Sequence, residues 1–436
     1  MTDIQIALTL VGLVVVLVML GVDIGIALLA LSFLGVWWIR DDIAIAERLV
    51  SMAAFSGIQE YVFATIPLFV LMGMLIAVSD VGKDTFDAAA WALRRVAGGL
   101  GMATVASNTV FAAVTGVSLA SASVFTKVAV PEMIRHGYSP AFAVGTVAGS
   151  SILGMLIPPS VLLIIYGVIA EQSIGKLFIA GIVPGLIMAT AFCLVIFVIA
   201  VHFKGFAGPQ RSPDAGHGDH EMRWPEAAAK VVPIAALVVV MLGGLYAGFF
   251  TPTEAGAVGA FGALVLALAK RRLTTARLWN CLLETGCISV AILFLLITAA
   301  MYSRMITVAG VPEWLGGLLQ GHGEYAFLAG YILILLLMGM ILDSTSILLI
   351  LTPLAVPIAR AFGMDLIWFG LITVIVVEIG LLTPPLGLSA FAVKASLADS
   401  RIKLSTVFAG ALPFVATMVA VTMLLIAFPW LVSLLY

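Results

Sequence analysis

Two short polar stretches, TGVSLASAS at 115–123 and LDSTS at 342–346, sit in the middle of long apolar runs. Thr115, Ser118, Ser121 and Ser123 offer hydroxyls; Asp343, Ser344, Thr345 and Ser346 offer hydroxyls and a carboxylate. Oxygen-only ligand sets of this kind suit a hard cation such as Na⁺. Two further interruptions accompany them, GSSILGMLIPPS at 149–160 and EIGLLTPPLGLSAF at 378–391. Proline removes a backbone donor and clashes with the preceding turn, so Pro158-Pro159 frees carbonyls near Gly154 to Ile157. Gly149 and Gly154 let the chain bend there. Freed carbonyls and half-helix ends at mid-membrane can hold a desolvated cation or an anionic group. The second copy adds Glu378 and Thr383. Each tip is expected to pair with the broken span of its own half, giving two related sites with a substrate between the tips.

A bland account competes with this one. Gly-Pro kinks occur in membrane helices for structural reasons alone, and Ser and Thr often just bond to neighbouring helices. The doubling of tip plus Pro-Pro break favours function. Asp343 and Glu378 are ionisable at apparent membrane depth, where function is the default; Glu378 could instead pin its hairpin. Lys127 and Lys394 could meet a substrate carboxylate, although snorkelling to the interface is the favoured reading. Asn108, in ASNTVF, reads as a bridge between helices. With Thr115, Thr345, Pro158 and Pro384, these three complete the residues expected near a substrate.

The elements that must position these groups are membrane spans. Of 436 residues, 63% are hydrophobic and only 10% charged, where a soluble domain runs near a quarter charged. The expected fold is an all-α polytopic membrane protein. The net charge of −2 carries no information about partners, and nucleic-acid binding has no support. Cys193, Cys281 and Cys287 lack metal-ligand spacing and read as small core residues. No GxxxxGK[ST] loop is present, so the chain does not itself use ATP, and no Ser/His/Asp or HExxH constellation suggests an enzyme. MTDIQIALTL lacks a basic region and a cleavage site, so it reads as a retained span.

Residues 4–38 would make a helix of about 52 Å against a hydrocarbon core of about 30 Å, so GVDIG at 21–25 is expected to split them. Further spans are expected near 61–79, 138–170, 177–203, 229–249, 254–269, 285–303, 366–396 and 405–435. Residues 98–134 and 325–361, with polar tips at their centres, read as re-entrant hairpins; irregular backbone at that depth survives only when buried or lining a wet cavity. Segments 41–60, 80–97, 271–284 and 306–324 read as interfacial amphipathic helices. Residues 204–228 read as a polar linker. Its histidines, in HGDH, could hold a metal, but a solvated loop is favoured.

The two halves, 1–203 and 229–436, carry matching punctuation. Shifted by 226 residues, Val130-Pro131 meets Val356-Pro357, Gly137 meets Gly363, Gly154 meets Gly380, and Pro158-Pro159 meets Pro384-Pro385. The order repeats too: three spans, a hairpin, a broken span, a final span. Five spans plus a hairpin that returns to its own side make the repeat inverted, a transporter architecture. With the N-terminus outside, 14 Lys and Arg fall on cytoplasmic segments and 5 outside, as the positive-inside rule requires.

Residues 113–160, AVTGVSLASASVFTKVAVPEMIRHGYSPAFAVGTVAGSSILGMLIPPS, resemble the large membrane subunit of tripartite ATP-independent periplasmic (TRAP) transporters. So do IPLFVLMGML at 66–75, GFFTPTEAGAVGA at 248–260, LLLMGMILDSTSILLILTPLAVPIA and EIGLLTPPLGLSAF. The resemblance implies an importer of carboxylic acids, commonly C4-dicarboxylates, sialic acids or other sugar acids, across a bacterial or archaeal inner membrane. It implies coupling to a Na⁺ gradient, a soluble periplasmic binding protein, and a separate four-helix small membrane subunit. It also implies an elevator, in which hairpins and broken spans slide against a scaffold of outer spans and arm helices. Carried over to this chain, one Na⁺ site would involve Ser118, Ser121 and Ser123 with Gly149, Ser150, Ser151 and Gly154. The other would involve Asp343, Ser344 and Ser346 with Glu378, Gly380 and Thr383. The first tip departs from the family pattern: a Ser-Gly-Ser-Ser run is expected where Thr115-Gly116-Val117-Ser118 stands, and Lys127 stands where a small residue is common. A stand-alone or proton-coupled carrier, and a channel or scaffold, are the competing readings.

Overall fold

The computed structural model describes residues 2–203, 222–319, 321, 323–397, 399 and 401–436, and the His217 and His220 of HGDH lie outside them. Every element among the described residues is helical. The chain opens with α1 (Asp3–Met19), α2 (Ile24–Arg40) and α3 (Ile43–Gln59). Thr2 and Gln5 form a reciprocal capping box on α1, and Asp23 and Asp42 each accept a first-turn N–H of the following helix, so each start satisfies a backbone donor that lipid could not. A short 3-10 turn leads into α4 (Thr65–Val78). Pro67 lies in the first turn of α4, where its ring excludes a helical carbonyl four residues earlier, so α3 cannot run on into it. Then come α5 (Val81–Leu93), α6 (Gly99–Thr115), α7 (Ser118–Arg135), α8 (Pro140–Ser151), α9 (Leu153–Leu156), α10 (Val161–Ile169) and α11 (Ile174–His202).

After the linker the order is α12 (Trp224–Tyr246), α13 (Pro252–Ala269), α14 (Thr275–Val308), α15 (Val311–Leu319), α16 (Glu324–Gly339), α17 (Ser344–Ala361), α18 (Leu366–Leu382), α19 (Leu388–Ser396), α20 (Leu404–Ala427) and α21 (Trp430–Ser433). Here two expected boundaries move. Segments 271–284 and 285–303 are not a separate arm and span: from Thr275 onward both run in α14, one helix of 34 residues. No proline interrupts that stretch, unlike the α3–α4 junction. The final span stops at Ala427, because Pro429 cannot continue the helix.

Among the described residues seven helices are long and apolar enough to cross a membrane, α4 counted with the 3-10 turn before it, and α8–α9 with α10 make a further candidate bent by 42°. Large apolar side chains such as Leu194, Val239, Phe261, Val290 and Leu412 are more than half exposed. Such a surface belongs in lipid, and the chain is a multi-pass membrane protein.

Packing sorts the helices into two groups. α13 lies along α4, and α14 lies along α2, so each half supplies a partner to the other. The hydroxyls of Thr65 and Thr253 meet at 2.8 Å in the first of these seams. The second group is built on α8, which packs against α6, α7 and α20, and on α18, which packs against α16, α17 and α20. Gly145 and Gly410 bring the backbones of α8 and α20 into contact, leaving no room for a side chain on either. Tyr166 on α10 donates to the Leu366 carbonyl at 2.6 Å, tying the two halves inside this group. Helix α5 links the groups. Its Asp84 pairs with Lys270, its Asp87 with Lys230 at 2.6 Å, and Asp80 beside it with Arg272 at 3.1 Å.

Candidate functional site

The chain turns between α6 and α7 at Gly116, whose φ of 63° favours glycine. The Gly116 carbonyl accepts from Val161 N–H at 3.3 Å, seating this tip on the first break. In the second half the Met340 carbonyl accepts from Leu386 N–H, also at 3.3 Å. Both Pro-Pro bonds are cis. The first break is buried, whereas Pro384, Pro385 and Leu386 are exposed.

The two tips line one cavity of about 250 Å³. Thr115 and Ser118 reach it from the first tip, and Asp343, Ser344 and Thr345 from the second. Met155 and Val161 flank it at one break, Leu381 and Leu388 at the other. Helices α4 and α14 close it with Val70, Met74, Ile288 and Ile292. The arrangement offers hydroxyls, one carboxylate and half-helix ends inside an apolar shell.

Most expected ligand residues gather here or beside it. Gly154 faces the tip: a Cβ on it would lie 3.2 Å from the Val117 carbonyl group. Gly380 lies against Gly339, just before the second tip. Asp343 caps α17, accepting from Ser346 N–H at 3.1 Å and from the Ser346 hydroxyl. Asn108 bridges α6 to α8 by donating to Ser150 Oγ at 2.6 Å. The hydroxyls of Thr115, Ser150, Ser151 and Thr383 each donate to a carbonyl in their own helix, which leaves their lone pairs as acceptors. Ser121 is fully buried and its hydroxyl has no partner among the described residues. Ser123 is half-buried.

Glu378 departs from the expected own-half pairing. Its carboxyl is fully buried, with neither oxygen hydrogen-bonded among the described residues. The hydroxyls of Ser118 and Ser344 both lie against it without closing a hydrogen bond. Those serines are related by the 226-residue shift, whereas the counterpart of Glu378 is Ile152. One carboxyl thus faces both tips.

Other expected residues stand apart. Gly149 faces Phe414 of α20, whose ring fills the space a side chain would need. Pro158 lies against Gly181 of α11. Lys127 is exposed and does not line the cavity. Lys394 donates to the Ile402 carbonyl at 2.6 Å, away from it. Sequence reasoning missed Ser389, which lines the cavity, and the apolar wall from α4 and α14. The position of Ser389 directly after the second break, in PPLGLS, was the signal available.

Residues 11–431 match the family model for the tripartite ATP-independent periplasmic transporter, DctM component. The chain belongs to that family. A relative of this DctM-family chain, the C4-dicarboxylate TRAP transporter large permease protein DctM of Pseudomonas aeruginosa, is 35% identical over 80% of each chain. The protein of the same description from Vibrio cholerae is 30% identical over 96% of this chain and 94% of its own. The sialic acid TRAP transporter permease protein SiaT of Haemophilus influenzae is 28% identical over 96% of this chain and 66% of its own. These relatives are named as transporter permeases, not enzymes. The solved structure of the YdaH transporter from Alcanivorax borkumensis superposes with a TM-score of 0.57, covering 85% of this chain and 87% of that one at 12% identity. That likeness establishes a shared helical fold.

Proposed function

We propose that this DctM-family chain is the large membrane subunit of a Na⁺-coupled, binding-protein-dependent importer of carboxylic acids in a bacterial or archaeal inner membrane. The observation that carries the reading is the single cavity lined by both tips and both breaks. Relatives named for C4-dicarboxylates and sialic acid support an organic-acid substrate. A periplasmic binding protein would deliver the acid, and a small four-helix membrane subunit would brace the outer helices.

Na⁺ would be held by tip hydroxyls, break carbonyls and the Asp343 and Glu378 carboxyls. Oxygen donors inside an apolar shell replace the hydration of a hard cation, and the bound positive charge favours entry of an anion. The two packing groups support an elevator. Helices α6–α11 and α16–α20 would move as one inverted-repeat body against α1–α4 and α12–α14. Helix α5 would carry the motion, held to the outer group by its ion pairs.

The test is accumulation of radiolabelled carboxylic acids in proteoliposomes holding this chain and its small subunit. Each arm includes or omits the binding protein and an inward Na⁺ gradient. Accumulation that needs both supports the reading. Undiminished uptake without Na⁺ at either face removes the coupling, and full uptake without binding protein points to a stand-alone carrier.

A further inference from the structure

Helix α5 meets charge differently at its two ends. Toward its start Asp84 pairs with Lys270 and Asp87 with Lys230, so those carboxylates are matched. Just past its end stand Arg94 and Arg95, and Arg223 stands just before α12, which packs along α5. None of these three arginines has an ion pair among the described residues.

A pair of tryptophans joins these ends. The rings of Trp91 on α5 and Trp224 on α12 meet edge to face, with centroids 4.8 Å apart and planes at 86°. The Arg94 guanidinium lies 5.5 Å from the Trp91 ring centre, where the ring's quadrupole attracts it. Arg95 follows Arg94 in the chain and Arg223 precedes Trp224, so all three cations are carried on the residues that hold this aromatic contact. Trp224 is 74% exposed and Val96 is 40% exposed, so apolar surface lies open beside the charge. Tryptophan favours the boundary between hydrocarbon and water, and the Lys and Arg excess puts this end on the cytoplasmic side.

The chemistry selects an occupant. An arginine fork matches two phosphate oxygens at once. A guanidinium already stacked on a ring loses less freedom in doing so. Open tryptophan and valine surface suits a glycerol backbone and acyl chains, which a soluble phosphate lacks. A zwitterionic lipid brings its own cation to balance its phosphate, whereas an anionic one leaves the charge for the protein to match. Basic side chains near a leaflet attract anionic lipid in this way.

We propose that the junction of α5 and α12 binds an anionic phospholipid of the cytoplasmic leaflet. Its phosphate lies on Arg94, with Arg95 and Arg223 alongside, and its chains lie on Trp224 and Val96. Bound there, the lipid clamps to α12 the end of α5 opposite the Asp84–Lys270 pair. The assignment does not depend on what the protein transports.

The experiment measures thermal unfolding of the full chain in a neutral detergent. Phosphatidylglycerol and phosphatidylcholine with identical acyl chains are titrated in, because a ligand bound to the folded state alone raises the transition. Phosphatidylglycerol should raise it more. Arg94→Gln with Arg95→Gln should weaken the phosphatidylglycerol response by about tenfold in apparent affinity. Arg271→Gln with Lys403→Gln, which removes two exposed charges from other segments on the same side, should leave the response unchanged. Equal shifts from the two lipids overturn the proposal, and that comparison needs no variant. An equal loss in both double variants also overturns it, since the charge would then act generally and not at this junction. A shift with inorganic phosphate as large as that with phosphatidylglycerol overturns the lipid as the occupant.

Discussion

Gly339 and Gly380 bring the backbones of α16 and α18 together so closely that a Cβ on Gly380 would lie 2.6 Å from the Gly339 α-carbon. The contact anchors the helix before the second tip to the helix that carries Glu378. Gly380→Ala should lower the thermal transition, since forcing a methyl into a packed seam costs about 1–3 kcal/mol. Thermal unfolding of the purified protein checks it. Gly154→Ala, whose added atom would stand 3.2 Å from its nearest neighbour, should cost less. The reverse order would mean that the α16–α18 seam relaxes freely.

Asp343 caps α17, and substitutions can separate that cap from the coupling role proposed for its charge. Asparagine caps a helix about as well as aspartate, so Asp343→Asn keeps the N-cap of α17 and removes the charge. Folding should be nearly unchanged while the Na⁺ concentration for half-maximal uptake rises. Asp343→Ala should also lose the cap, at about 1 kcal/mol of stability. Na⁺ titration of uptake reads the first effect, and unchanged Na⁺ activation in Asp343→Asn would remove Asp343 from coupling.

The bond from Asn108 to Ser150 is buried and joins one arm of the first hairpin to the broken span. A double-mutant cycle with Asn108→Ala and Ser150→Ala should return a coupling of about 0.5–1.5 kcal/mol. Additive losses in thermal or denaturant unfolding would show that the pair is not a working bridge.

Pro158→Ala with Pro159→Ala restores two backbone donors in the first break. Transport should fall further than expression does. Uptake assays normalised to protein in the membrane read the difference, and normal transport would leave the break a structural feature only.

The half-buried cluster of Asp84, Asp87, Lys230 and Lys270 holds α5 to α12 and α13. Asp84→Asn should lower the thermal transition at low salt and have a smaller effect at about 1 M salt, where the screening length is about 3 Å. Asp84→Lys with Lys270→Asp should recover much of the loss.

The helical architecture was legible because apolar length and proline punctuation are local signals. GVDIG does separate α1 from α2, and the two Pro-Pro pairs do fall between helices. The α14 boundary differs from the expected one because a mix of charged and apolar residues at 271–284 describes what a segment faces, not where its backbone bends. The tips were legible as polar marks in apolar runs. Which residues face one another across them was not. Gly149 and Gly154 looked equivalent in sequence, yet one meets Phe414 and the other the tip. Glu378 looked like a ligand of its own half, but the packing of the halves sets it beneath serines from both. Ser389 was one hydroxyl among many, and its burial at the cavity wall is set by packing that no local pattern announces.

Helix α14 runs unbroken for 34 residues, about 51 Å at 1.5 Å per residue. Its apolar stretch lies between Glu284 and Arg304, about 30 Å at 1.5 Å per residue and so close to a hydrocarbon layer of about 30 Å, while its charged ends run on past it. Ile288 and Ile292 ride on that rod and form part of the cavity wall. A bilayer much thinner or thicker than that stretch would tilt the rod or deform around it, and a tilt would carry Ile288 and Ile292 along with it.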